Sequence, residues 1–155
     1  MKITDALRGE HAVLYVLLED VRETISDSDN IDVVKKTIST LDRALLSHAE
    51  IENNFLFPAL DPHIGQMGPL EMMRSEHQGI DELLEAARSE QDVAVLKSLA
   101  KQLVDLAYGH FQKEEMALFA MAEQFLSEDE LSALGDQWAA KRNVEVQGQS
   151  CISAA

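Results

Sequence analysis

Apolar residues recur at alternating intervals of three and four positions along four long stretches of this sequence. That spacing places them on one side of an α-helix, so each stretch predicts an amphipathic helix with one buried face. The four predicted helices run from about 4 to 25, 32 to 59, 69 to 87 and 92 to 121. A shorter fifth helix is predicted from Ser127, because Ser127 and Glu130 form a capping box and Trp138 lies on its apolar side.

Short connections separate these helices, and helices joined by short loops usually pack side by side in opposite directions. The sequence therefore predicts an all-α fold: an antiparallel up-down-up-down four-helix bundle with a short fifth C-terminal helix. Its 155 residues suit one domain with a single core. We assign residues 1–146 to this domain and expect residues 147–155 to form a disordered tail. Pro58 and Pro62 are expected in the loop after the second helix.

The charge balance argues against several classes of partner. The chain carries 28 acidic and 13 basic residues, which gives a formal net charge of -15. Such a surface repels phosphate backbones and anionic lipid headgroups, so neither nucleic acid nor a membrane is an expected partner. No apolar run is long enough to span a bilayer, and the N-terminus lacks a signal-peptide pattern. Cys151 is the single cysteine, which excludes an intramolecular disulfide and fits a cytoplasmic protein.

Histidines and glutamates interrupt the apolar faces of the predicted helices, which we call stripes. Each of the four long helices carries one stripe histidine, and two carry a glutamate four positions later: His11, His48 with Glu52, His77, and His110 with Glu114. A spacing of four places both side chains on the same helix face. A buried carboxylate without a partner costs several kcal/mol. The convergence of these groups in one core therefore indicates cations, which would neutralise the carboxylates and accept the imidazole lone pairs.

The two halves of the chain also resemble each other. Residues 8–22 (RGEHAVLYVLLEDVR) align with residues 74–88 (RSEHQGIDELLEAAR), and residues 48–60 align with residues 110–122. A bundle built from such a repeat has approximate two-fold symmetry. That symmetry would bring corresponding histidines and glutamates together around one centre.

The set of donors suits iron or manganese in a dinuclear centre. No thiolate is available, which excludes structural zinc of the cysteine type. Glu52 and Glu114 would bridge two ions, and the histidines would be terminal ligands, two for each ion. These six side chains cannot fill two octahedral spheres, so positions stay open for water, hydroxide, dioxygen or another small ligand. We predict two iron ions; manganese and zinc fit less well.

The order H…HxxxE…H…HxxxE over residues 4–125 resembles the hemerythrin family in its HHE cation-binding form. The resemblance implies a non-haem di-iron site bridged by carboxylates and a solvent-derived oxygen. It also implies a function in O2 binding, in sensing O2 or iron, or in handling nitric oxide or peroxide. The ligands carried over by motif are His11, His48, Glu52, His77, His110 and Glu114.

Two positions depart from the O2-carrying members of that family. Those members have a further histidine one turn before the third-helix ligand, where this sequence has Met73, so one iron has fewer nitrogen donors. They also take the last carboxylate five residues after the fourth-helix histidine, which leaves Glu115 as an alternative to Glu114. Tyr15, one turn beyond His11, is either a substitute ligand or hydrogen-bond donor, or an ordinary core residue.

Glu10 and Glu76 directly precede His11 and His77, so they point away from the direction of those ligands. They either accept a hydrogen bond from an imidazole or, as we expect, contribute surface charge.

Together with the family resemblance, the six candidate ligands predict a di-iron protein that binds or senses O2, nitric oxide or peroxide. The alternatives are iron storage or sensing, an enzyme that consumes peroxide or nitric oxide, and a metal-free interaction bundle.

Overall fold

The computed structural model describes residues 1–65 and 68–145, and no strand occurs in those residues. Seven α-helices follow in order: α1 (Ile3–Asp27), α2 (Ile31–Ile51), α3 (Phe57–Ile64), α4 (Pro69–Ser89), α5 (Val93–Lys113), α6 (Phe119–Phe125) and α7 (Glu128–Arg142). Two π-helical segments lie between them, Glu52–Leu56 and Glu114–Leu118. The all-helical expectation is confirmed. The predicted tail, residues 147–155 with Cys151, lies outside the described residues.

The helices begin where the sequence supplies caps. The Asn30 side chain accepts hydrogen bonds from two backbone N–H groups in the first turn of α2, and Asp92 does the same for α5. The capping box of Ser127 and Glu130 opens α7, as predicted. These side chains satisfy N–H groups that have no partner inside the helix.

The long helices pack around a shared interior. α1 contacts α2 and α5, α4 contacts α5 and α2, and α7 lies mainly against α1. At Gly135 the helix α7 approaches the backbone of Met1 so closely that a Cβ would collide with it. None of the described helices is long and apolar enough to cross a bilayer.

Two apolar clusters fill the interior, and the polar stripe residues lie between them. Along α1, Leu7 belongs to one cluster and Leu14 to the other, with His11 between them. Along α4, Met73 and Ile80 flank His77 in the same way. The histidines and glutamates therefore occupy a layer across the middle of the bundle, covered by apolar side chains above and below.

The prediction for the end of the second helix was wrong. The chain does not enter a loop at Pro58; the π-helical segment Glu52–Leu56 leads directly into α3, which continues through Pro62 to Ile64. Pro58 is the second residue of α3, directly after the π-helical segment, and Pro62 lies inside the helix. Gly65 and Gly68, both at positive φ, then lie between α3 and α4.

The π-helical segments also change which residues face the interior. The stripes continued past Glu52 and Glu114 at helical spacing predict Phe55, Ala59, Ala117 and Met121 as core residues. The structure instead buries Leu56, Leu60, Leu118 and Ala122. A π-helical turn closes through an i→i+5 hydrogen bond, so it holds one residue more than an α-helical turn. Each later core position is therefore one residue further along, in both halves of the repeat.

Candidate metal centre

The six residues predicted as ligands meet in the middle layer. Their side chains are between 0% and 10% exposed, and His77 is the most exposed of them. The histidines form two pairs through their Nε2 atoms. His11 and His48 approach to 3.1 Å, and His77 and His110 approach to 3.0 Å.

Each glutamate lies between the two histidine pairs. Glu52 places Oε1 3.4 Å from His48 Nε2 and Oε2 3.2 Å from His77 Nε2. Glu114 places Oε2 3.3 Å from His11 Nε2 and Oε1 3.3 Å from His110 Nε2. Each carboxylate thus offers one oxygen to each histidine pair. Two groups of four ligand atoms result, which we call the His11–His48 position and the His77–His110 position.

The spacing of these atoms matches the size of a metal coordination sphere. With metal–ligand bonds of about 2.1 Å, neighbouring ligand atoms lie about 3.0 Å apart in an octahedron and about 3.4 Å apart in a tetrahedron. In each position, the distance between the two histidine nitrogens and the distance from each nitrogen to its nearer glutamate oxygen run from 3.0 to 3.4 Å, and all four ligand atoms lie within 4.8 Å of one another. Both positions could therefore hold an ion.

Three further glutamates, which we call the outer carboxylates, contact the histidines on the side away from the metal positions and so determine which ring nitrogen can bind an ion. Three of the four Nδ1 atoms contact a glutamate: His11 with Glu115 at 2.8 Å, His48 with Glu10 at 2.8 Å and His110 with Glu76 at 3.0 Å. A neutral histidine that donates its Nδ1 proton to a carboxylate has an unprotonated Nε2, the form that binds a metal ion. Without a cation, burial opposes a charge on His48, but Glu52 and Glu10 raise its pKa to about 10, so a metal ion would have to displace the proton from its Nε2.

The expectation of surface charge at Glu10 and Glu76 was wrong. Each binds the histidine of the neighbouring helix in the bundle, not the one beside it in sequence. Glu115 contacts the outer nitrogen of His11, while Glu114 turns both oxygens toward the histidine pairs. The geometry therefore gives the two adjacent glutamates different places, with Glu114 inside and Glu115 outside.

The inner carboxylates lack ordinary partners. Glu52 and Glu114 are completely buried, and none of their four oxygens makes a well-formed hydrogen bond within residues 1–65 and 68–145. Native proteins rarely leave buried carboxylates in this state, because desolvation of a charge is costly. This is the pattern expected of oxygens that bind cations, and the donor set fits a metal pair.

The pKa values of the two inner carboxylates show that the protein without cations does not favour both of them in the charged form. Burial raises the pKa of Glu114, and the nearby charge of Glu52 raises it further. Burial also opposes ionisation of Glu52, but the nearby charge of His48 holds its pKa well below the usual range. Without metal, the protein therefore favours only one of the two inner carboxylates in the charged form. Two cations would allow both to ionise.

Met73 is a core residue, and Tyr15 is half-buried and packs against the apolar cluster. The Tyr15 ring lies edge-on to His11, with 6.4 Å between ring centroids, and packs against Tyr108 at 5.0 Å. Burial and the charge of Glu115 raise the pKa of Tyr15 to about 12, so the phenol stays protonated. Met73 is 2% exposed and belongs to the apolar cluster beside the site.

α7 reinforces the site from outside, which the sequence did not predict. Trp138 Nε1 donates a hydrogen bond of 2.7 Å to Glu10 Oε1, and Arg142 donates to both oxygens of Glu10. Arg142 also donates to the side chain and carbonyl of Ser47. These hydrogen bonds, with that of His48, lower the pKa of Glu10 to about 2 although its burial acts in the opposite direction. α7 thereby holds Glu10 in place against His48.

Arg142→Met should destabilise the protein by about 2–3 kcal/mol, because charge-assisted hydrogen bonds to a mostly buried carboxylate are lost. Urea unfolding of the metal-free protein measures this change. The matched control is Lys141→Met, whose exposed pair with Glu50 should contribute less than about 1 kcal/mol. Equal effects of the two substitutions would contradict a bracing role for Arg142.

A cavity of about 280 Å³ reaches the centre from the side of α2 and α4. Its walls include His48, His77, His110, Asn53, Ile80 and Phe111. The cavity thus touches three of the four histidines and is bordered by apolar side chains. A molecule of two or three atoms could approach the metal positions through it.

The comparisons with known proteins agree with this arrangement. Residues 2–122 match the family described as Hemerythrin HHE cation binding domain. A protein from Nostoc sp. (strain PCC 7120), named DNA nickase, is 26% identical over 140 residues. The alignment covers 90% of this chain but only 37% of that relative. No solved structure was found to match the chain. With more than half of its sequence matched, and with two His/Glu clusters that could hold metal, the chain belongs to the hemerythrin HHE cation-binding family.

Proposed function

We propose that this protein is a non-haem di-iron protein that binds or senses O2, or a related small molecule such as nitric oxide or peroxide. The observation that carries this proposal is the position of Glu52 and Glu114, each of which turns one oxygen toward each histidine pair. Carboxylates placed in this way would be able to bind two ions at once. Imidazole together with carboxylate suits iron, and no thiolate is present in the two clusters to favour another metal.

The side chains have distinct tasks in this proposal. Glu52 and Glu114 would hold the two ions with one oxygen each at each position, and the four Nε2 atoms would supply two nitrogens to each position. The outer glutamates keep the imidazole rings in orientation and increase their basicity as ligands. The apolar clusters above and below exclude bulk water. A bound iron pair would supply redox chemistry and open coordination positions at this place.

The limited number of donors supports a small ligand. Each position has two nitrogens and two carboxylate oxygens from the protein, fewer than the six donors of an octahedron. The cavity of about 280 Å³ gives a diatomic molecule or peroxide room to reach the histidines. Met73, buried where the O2-carrying members have histidine, adds no nitrogen donor. We infer that binding or sensing, not O2 transport, is the function.

Metal analysis and absorption spectra test the proposal. Protein purified from iron-supplemented cells should contain about two iron ions per chain, and the oxidised form should absorb in the near ultraviolet. Anaerobic reduction should bleach this band. Return of a distinct spectrum on addition of O2, and its loss on removal of O2, would indicate reversible binding. Protein that binds fewer than two iron ions per chain after loading would contradict a di-iron function.

Two other functions use the same centre. If the protein stores or senses iron, occupancy will change folding or partner binding without consumption of any small molecule. If it is an enzyme, the iron-loaded protein will consume peroxide or nitric oxide over many turnovers. Coordination positions that a bound ion would leave open favour the enzyme over iron storage or sensing. A peroxide assay beside the absorption spectra separates turnover from binding.

Two further expectations also remain proposals. We propose that the four long helices run antiparallel in an up-down-up-down order, which the contacts of α1, α2, α4 and α5 support. We also propose that this chain does not bind DNA, despite the name of its Nostoc relative. The chain spans 37% of that protein, and its formal net charge of -15 repels phosphates.

A further inference from the structure

The two halves of the site differ in the outer partners of their histidines. His11, His48 and His110 each contact a glutamate through Nδ1. The Nδ1 atom of His77 is buried and has no hydrogen-bond partner within residues 1–65 and 68–145. The His11–His48 position therefore has two outer carboxylates, and the His77–His110 position has one.

The internal repeat identifies the residue responsible. Glu115, the partner of His11, is the second residue of the π-helical segment Glu114–Leu118. The second residue of the matching segment Glu52–Leu56 is Asn53. His77 corresponds to His11 in the same repeat, so Asn53 stands where a carboxylate for His77 would be. Asn53 and His77 line the same cavity, which is consistent with this correspondence.

We propose that the two metal positions have unequal affinities, and that the His77–His110 position binds its ion more weakly and exchanges it first. An outer carboxylate fixes the orientation of a ligand histidine and makes it a better donor, and removal of such a partner typically costs about 10–100-fold in metal affinity. The inference rests on the proposed two-metal function.

Exposure adds a second reason for the inequality. The His77 side chain is 10% exposed, against 0% for His11, 3% for His48 and 1% for His110. The cavity touches both histidines of this position but only His48 of the other, so water and a chelator have more access to this position. The protein would thus keep the ion of the His11–His48 position, while the occupancy of the His77–His110 position would vary with the metal concentration.

Anaerobic calorimetric titration of the metal-free chain with Fe(II) tests the inference. We expect two binding phases whose Kd values differ by about 10–100-fold. Glu115→Asn should weaken the tighter phase by about the same factor and bring the two phases together. Asn53→Glu should strengthen the weaker phase. Asn54→Glu is the matched control, because it adds the same charge to the same cavity wall and should leave the ratio of Kd values nearly unchanged.

The outcomes separate this inference from the proposed function. Binding of two ions with equal Kd values would overturn the inequality but leave the two-metal function intact. Unequal Kd values whose ratio neither Glu115→Asn nor Asn53→Glu changes would show that the outer carboxylates do not cause the inequality, and would overturn the inference in that respect. An equal effect of Asn53→Glu and Asn54→Glu would show that the added charge acts without regard to position. Binding of fewer than two ions by the unaltered chain would contradict the two-metal function itself.

Discussion

Loading the metal-free protein with two Fe(II) ions per chain should raise its melting temperature by about 15–30 °C. Each site that binds only the folded state adds about 4 kcal/mol at a free metal concentration near 1,000 times its Kd. For a protein of this length, each kcal/mol shifts the melting temperature by about 2–4 °C. The gain arises because the ions neutralise Glu52 and Glu114, which are completely buried.

Differential scanning calorimetry under anaerobic conditions, with and without iron, measures this shift. Ca²⁺ is the control cation, because it prefers six to eight oxygen ligands and the centre offers four nitrogens. We expect it to change the melting temperature by no more than about 2 °C. A similarly small shift with iron would show that the buried carboxylates are tolerated without metal, and would favour the metal-free interaction bundle.

Glu114→Gln should abolish most of the stabilisation by iron while leaving the metal-free protein at least as stable as before. The amide has nearly the shape of the carboxylate but carries no charge, so its burial costs less. Without the second bridge, neither position keeps two oxygen donors. Iron content should fall from two ions to at most one, and the rise in melting temperature should fall below about 5 °C.

The matched control for this substitution is Glu50→Gln, which makes the same chemical change at an exposed residue near Glu52. Glu50 pairs with Lys141 at the surface, so iron content and melting temperature should stay within error of the unaltered protein. A Glu114→Gln variant that retains two ions would show that Glu114 is not a bridging ligand. Substitution of Glu115 would then be the next test.

The sequence alone determined the helices and the six inward polar residues. Burial and helix formation follow local rules, so the spacing of apolar residues was sufficient to identify α1, α4 and α5 and to place His11 and His77 in the core. The cost of buried carboxylates was sufficient to indicate cations. The repeat was sufficient to match Glu52 with Glu114, since each is the first residue of its π-helical segment and faces the interior.

Only the tertiary structure decided how these residues are paired. The outer partner of His48 is Glu10, which lies beside His11 in sequence but beside His48 in space. No local pattern links Glu10 with Trp138 and Arg142, because those contacts join residues more than 100 positions apart. Which residues are buried after each inner glutamate depends on a π-helical turn, and residue spacing does not reveal that turn. Spacing along one helix shows which side chains turn inward, whereas their partners depend on which helices lie next to each other.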